Sequence, residues 1–143
     1  MSRKSEIKTI FWDIGGVLLT NGWDVNQRAE VLPRLGVDLD EYESRHEAAN
    51  FYWERGLSTA EHFFNQTIFY QPRPFTFEDL WPQVCAESKI LERETLEILG
   101  TLYDTRQFKL ATLNNESREL NEHRLNAFRL RAVAEDRERR IRQ

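Results

Sequence analysis

A single cysteine, Cys85, is all the thiol chemistry in this 143-residue chain. An intramolecular disulfide is thereby excluded, and so is a CxxC metal site. The three histidines, His46, His62 and His123, lie too far apart in sequence for metal-ligand spacing. Long apolar runs are missing as well. The run nearest the N-terminus is interrupted by Asp13 after a few residues, too soon for a signal-peptide core or a membrane span. Positive charge is not in excess either: the formal net charge is −4, so nothing global points to nucleic acid or to an anionic membrane surface. These absences imply a soluble, reducing, cytoplasmic setting, without a nucleic-acid or membrane partner.

Hydrophobic residues make up 40% of the chain and charged residues 31%, a globular balance with enough length for one ordinary core. Ile7 to Trp12 carries β-branched and aromatic residues and predicts a buried strand. That strand delivers the carboxylate of Asp13 into the glycine pair Gly15-Gly16. A buried strand rarely ends on a charge without a partner or a task. The glycines let the backbone approach a ligand closely and leave N–H groups to hold an anion. The plainer alternative is that Asp13 ends a strand and the glycines make a turn.

After a second turn at Asn21-Gly22 the chain reads as helices with polar breaks as far as Ser88. Val25, Ala29, Leu32 and Leu35 recur at helical spacing and Gly36 stops that helix. Asp38 caps the next, which runs through Tyr42, Ala49, Phe51 and Trp53 to Gly56. Ser58 to Glu61 has capping-box spacing and opens a helix through Phe63, Phe64 and Ile68. Pro72 and Pro74 break the chain before a face of Phe77, Leu80, Trp81 and Val84. Trp23, Phe51, Trp53, Phe63 and Phe64 are candidate core of this helical region, with some free to line a pocket; Cys85 reads as a small core residue.

A new unit begins near Leu91. Leu96, Leu99, Leu102 and Tyr103 form a helix face, and Phe108 to Leu113 predicts a second buried strand ending on Asn114-Asn115. A further helix from about Glu116 presents Leu120, Ala127 and Phe128 on one side. Strand, helical stretch, helix, strand, helix is an α/β pattern with parallel strands. Ligands of open α/β sheets sit outside the carboxyl ends of the strands, where both Asp13 to Gly16 and Asn114-Asn115 fall. Phosphoryl transfer suits such a place, since it needs an in-line nucleophile, a cation and donors for the transferred group. Asp13 is the candidate nucleophile. The amides of Ile14, Gly15 and Gly16 and the side chains of Asn114 and Asn115 are candidate phosphate donors, and magnesium would sit on Asp13 and the Gly15 carbonyl.

Phe11-Trp12-Asp13-Ile14-Gly15-Gly16-Val17-Leu18 resembles the first motif of the haloacid dehalogenase-like hydrolases. Leu110-Ala111-Thr112-Leu113-Asn114-Asn115 resembles their second, and the likeness spans about residues 6 to 128. Gly36 to Tyr42 and Glu54 to Ser58 also look like cap segments of the phosphatase branch. The resemblance implies a Rossmann-like parallel sheet in residues 1–20 and 89–143, with a helical cap in 21–88. It further implies a magnesium-dependent phosphatase that takes a small-molecule phosphate ester through an aspartyl-phosphate.

The chain departs from that pattern in three places. Gly15 stands where phosphatases of the family usually carry a second aspartate as general acid, and Asn114 where motif two has Ser or Thr. The family's third-motif lysine and fourth-motif acidic metal ligands have no counterpart after Phe128, where arginines interspersed with Glu135, Asp136 and Glu138 read as a solvated helix or frayed end. This implies a truncated or frameshifted reading of a longer gene. It also implies an unpaired edge on the first strand, inviting self-association or pairing with another chain. Two further readings stand beside the phosphatase: a catalytically dead binding or interaction protein, and a dehalogenase that displaces halide with the same aspartate.

Overall fold

The computed structural model describes residues 7–130. In these, strand β1 (Thr9–Trp12) is followed by α1 (Val25–Val31), a 3-10 turn (Pro33–Leu35), α2 (Leu39–Trp53), α3 (Ala60–Thr67) and α4 (Phe77–Ala86). Helix α5 (Arg93–Thr105), strand β2 (Lys109–Thr112) and helix α6 (Arg118–Ala127) complete the order. The class is mixed α/β. The strands pair in parallel, Thr9 opposite Lys109 and Trp12 opposite Thr112, as the order of elements requires.

The first four helices start where a side chain can accept an orphan N–H. Asp24, Asp38, Thr59 and Thr76 do so for α1 to α4. The cap of α3 is Thr59 rather than Ser58, one residue later than the capping-box spacing suggests, and the reciprocal box occurs instead at Thr76 and Asp79. Gly36, at φ 69°, ends the α1 region in the left-handed conformation.

Two apolar clusters form. The larger unites α1 to α4 around Trp53, whose ring stacks on Phe63 at 4.2 Å between centroids, with Trp23, Tyr42 and Phe64 beside it. Leu120 of α6 joins it, and Cys85 is buried at its margin. The smaller gathers Ile14, Leu18, Leu19, Leu99 and Leu130, with Trp12, Leu96, Leu110, Leu125 and Phe128 packed against it.

Several expectations of burial are corrected. The strands are not buried: Phe11 is 62% exposed and Leu113 69%, because only the face bearing Trp12 and Leu110 packs against the smaller cluster. Phe51 is exposed beneath the Arg55 guanidinium instead of joining the aromatic core. Val25 and Ala29 also face solvent. On α6 the inward side carries Leu120 and Arg124, while Ala127 is exposed. The arginine-rich segment after Leu130 lies outside the described residues.

The chain leaves and rejoins the sheet region through one neck. Thr20 N–H donates to the Lys89 carbonyl (2.8 Å) and Leu91 N–H to the Leu18 carbonyl (3.2 Å). The Thr20 hydroxyl donates to the Glu87 carbonyl and accepts from Lys89 N–H. The β1–α1 connection is thus pinned at Leu18 and Thr20 against the α4–α5 connection at Glu87, Lys89 and Leu91.

Candidate active site

Asp13 directly follows β1, and its Oδ1 accepts the N–H of Ile14 at 2.7 Å. Ile14 is anchored by its side chain in the smaller cluster, and its carbonyl accepts from Leu18 and Leu19. The loop is thereby wound tightly, and it needs Gly16 at φ 73°, a conformation costly for other residues. Gly16 N–H donates to the Leu19 carbonyl at 2.8 Å. Two of the three amides expected to hold phosphate, those of Ile14 and Gly16, are therefore committed within the turn.

Leu113 N–H donates to the Trp12 carbonyl, so the two strand ends remain level. Beyond them opens a polar cleft of about 400 Å³ between the strand ends and the helices α1 and α2. Asp13, Gly15, Asn114 and Asn115 all line it, whereas Ile14 and Gly16 do not. Asn114 is itself engaged, accepting from Glu116 N–H at 3.3 Å and meeting Asn121 at 3.4 Å. Asn115 is exposed. A larger and more open groove, about 550 Å³, runs over Phe69, Tyr70, Arg73 and Phe75 and holds none of the strand-end residues.

The far wall of the cleft adds Trp23, one of the aromatics the sequence left free to line a pocket, with Arg28, His46 and Glu54 from the helical side and Glu116 and Arg124 from the β2–α6 side. Arg124 is 1% exposed. Its guanidinium donates to Glu116 Oε2 at 2.7 Å and to the Thr20 carbonyl, tying α6 to the neck. Burial pushes the Glu116 carboxyl up from its ordinary value, against the opposing pull of Arg124. Arg28 is similarly matched: it donates twice to Glu43 and once to the Trp23 carbonyl. Burial first, and the Arg28 charge second, push His46 down to about 4, so its imidazole is neutral at neutral pH.

Sequence held a faint signal for Arg124: it lies four residues after the buried Leu120, on the same helical face. A buried arginine is rare enough that apolar Ala127 was the more natural choice. For Glu116 and His46 no local pattern exists, since their neighbours are set by packing between distant elements.

Compared with known proteins, the chain matches no family model and no curated protein sequence.

Proposed function

We propose that the chain is a haloacid dehalogenase-like hydrolase of small phosphate monoesters, with Asp13 as nucleophile. One observation carries the reading: Asp13 and Asn114-Asn115, brought from distant parts of the sequence by two parallel strands, meet at one polar cleft. In this reading the strands belong to a Rossmann-like sheet, and α1 to α4 form a cap over the site.

Asp13 Oδ1 is held by the Ile14 N–H, which orients the carboxylate and leaves Oδ2 for attack on phosphorus. The bond formed is Asp13 O–P and the bond broken is P–O of the ester; water then hydrolyses the aspartyl-phosphate. Gly15 N–H and the Asn115 amide are the donors left for the transferred group. Among the described residues no group of three or more His, Cys, Asp or Glu forms a metal cage. Magnesium does not require one, because one carboxylate with phosphate oxygens and water can complete its octahedron. The hard oxygens of Asp13 and the Gly15 carbonyl fit that mode, and the bound ion would neutralise phosphate oxygens. Both arginines of the cleft are already matched by carboxylates, so an ester of an uncharged alcohol suits it better than one with a second anion.

Purified protein given an aryl phosphate and magnesium should turn it over, and Asp13→Asn should reduce turnover to background while leaving the melt unchanged. Turnover that survives in Asp13→Asn overturns the assignment. Activity that persists with chelator, on a haloacid rather than a phosphate, would select the dehalogenase. A folded protein with no turnover of either would be a binding protein.

A further inference from the structure

Gly15 leaves the proposed hydrolase without the carboxyl that its family resemblance places there to protonate the leaving group. The space that such a side chain would enter opens toward the Arg124–Glu116 ion pair. A Cβ built on Gly15 would lie 3.6 Å from Arg124 NH1, and that same nitrogen lies 2.7 Å from Glu116 Oε2. Gly22 makes room for this carboxylate: a Cβ there would meet Glu116 Oε2 at 2.0 Å. Glu116 and Gly15 both line the cleft with Asp13.

We infer that Glu116, resting on the hydrolase reading above, is the proton donor to the leaving alcohol, in place of the aspartate missing at position 15. As Asp13 forms its bond to phosphorus, the P–O electron pair moves to the ester oxygen, which takes the proton of the Glu116 carboxyl. In the second half-reaction the Glu116 carboxylate removes a proton from the attacking water, and phosphate and the starting Asp13 carboxylate are released. The surroundings suit the task. Glu116 faces Arg124 from α6, Glu54 from the end of α2 and, beyond Arg124, Asp13 from the end of β1. Burial pushes the Glu116 carboxyl up against the opposing pull of Arg124, and Arg124 and the Ser117 N–H hold its two oxygens in place.

Leaving-group dependence separates this role from a structural one. An alkyl leaving group needs a proton, whereas a nitrophenolate departs without one. Glu116→Gln should therefore lower kcat/KM, which reports formation of the aspartyl-phosphate, about a hundredfold or more for glycerol 3-phosphate and far less for p-nitrophenyl phosphate, while kcat falls for both because they share the hydrolysis step. It should also remove the limb of the alkyl-ester pH profile that reports the acid. Equal losses of kcat/KM on both esters, or none on either, overturn the inference while leaving the Asp13 assignment intact. No turnover of p-nitrophenyl phosphate by the wild-type chain defeats the hydrolase reading itself and this inference with it.

Removing the Glu116 charge leaves Arg124 buried without its partner, so Gly15→Asp is added to Glu116→Gln as a second variant. Position 15 has ordinary contact distances of 3.4 Å or more for a Cβ, and an aspartate there reaches Arg124. The double variant should recover alkyl-ester turnover; a folded double variant with no recovery counts against the proposal. Should neither variant fold, the wild type decides: turnover of p-nitrophenyl phosphate with none of glycerol 3-phosphate overturns it.

Discussion

His46, a side chain only 12% exposed, couples the stability of this fold to acid. Its imidazole packs between Tyr42 and Phe63, with Nε2 buried and without a partner. Folded, it protonates near 4, against about 6.5 in an unfolded chain. Between those pH values the unfolded chain binds a proton that the folded chain refuses, so stability falls as pH drops from about 6.5 to about 4. The contribution is on the order of 3 kcal/mol when fully expressed. Glu116 works in the opposite sense. Its raised value lets the folded chain keep a proton that the unfolded chain has lost, so its contribution declines as pH rises above the ordinary carboxylate range. His46→Gln should flatten the acid side of the stability profile, read by urea unfolding at pH 5 and pH 7.5. An unchanged difference between the two pH values would show that another group sets the limit.

At the scale of elements, α6 is the tie between the strand ends and the helices. Glu119 reaches across to α3, where one oxygen accepts the Ala60 N–H (3.1 Å) and the other the Trp53 indole N–H (3.3 Å). It supplies α3 with a second cap and a favourable charge at the positive end of the helix. Glu119→Ala should cost about 1–2 kcal/mol, from the lost cap and from a tryptophan N–H left without its acceptor. Urea unfolding followed by tryptophan fluorescence measures this; a loss below about 0.3 kcal/mol would mean that water replaces the carboxylate freely. The elements themselves were largely legible in sequence. The helix start at Asp38, the stop at Gly36 and the two strands follow from local rules of capping, propensity and period. The ties between them were not, because Glu119 to Trp53 and Arg124 to Thr20 join residues far apart in the chain by side-chain reach alone. The candidate site divides the same way. Asp13 and Asn114-Asn115 are marked by their place at strand ends, while Glu116 and Arg124 owe their roles to a closeness that only packing creates. Pro82 inside α4 was not anticipated either, and tertiary packing of Leu80 and Val84 overrides its helix-breaking tendency.

For the whole molecule, the sheet is the exposed element. Two strands seldom suffice alone, and here one face is covered while the other presents Ile7, Phe11 and Leu113, each more than 60% exposed. Phe11 stands opposite Ala111 in register, so period-two alternation puts Ile7, Phe11 and Leu113 on the same face. Neither outer edge of the sheet carries a further strand among the described residues. Open backbone beside an apolar face is the arrangement that recruits another strand. Fully burying each of these three side chains is worth about 1.5–3 kcal/mol, and a net charge of −4 on 143 residues opposes contact only weakly. A second copy of the chain is the partner always at hand, so self-association should grow with concentration and persist in high salt. Sedimentation velocity should show dimers or larger species at tens of micromolar protein, and Phe11→Lys should shift the population to monomer without altering the helical signal in circular dichroism. A wild-type chain that stays monomeric across that range, with a cooperative melt, would mean that two strands and one covered face are enough for this fold.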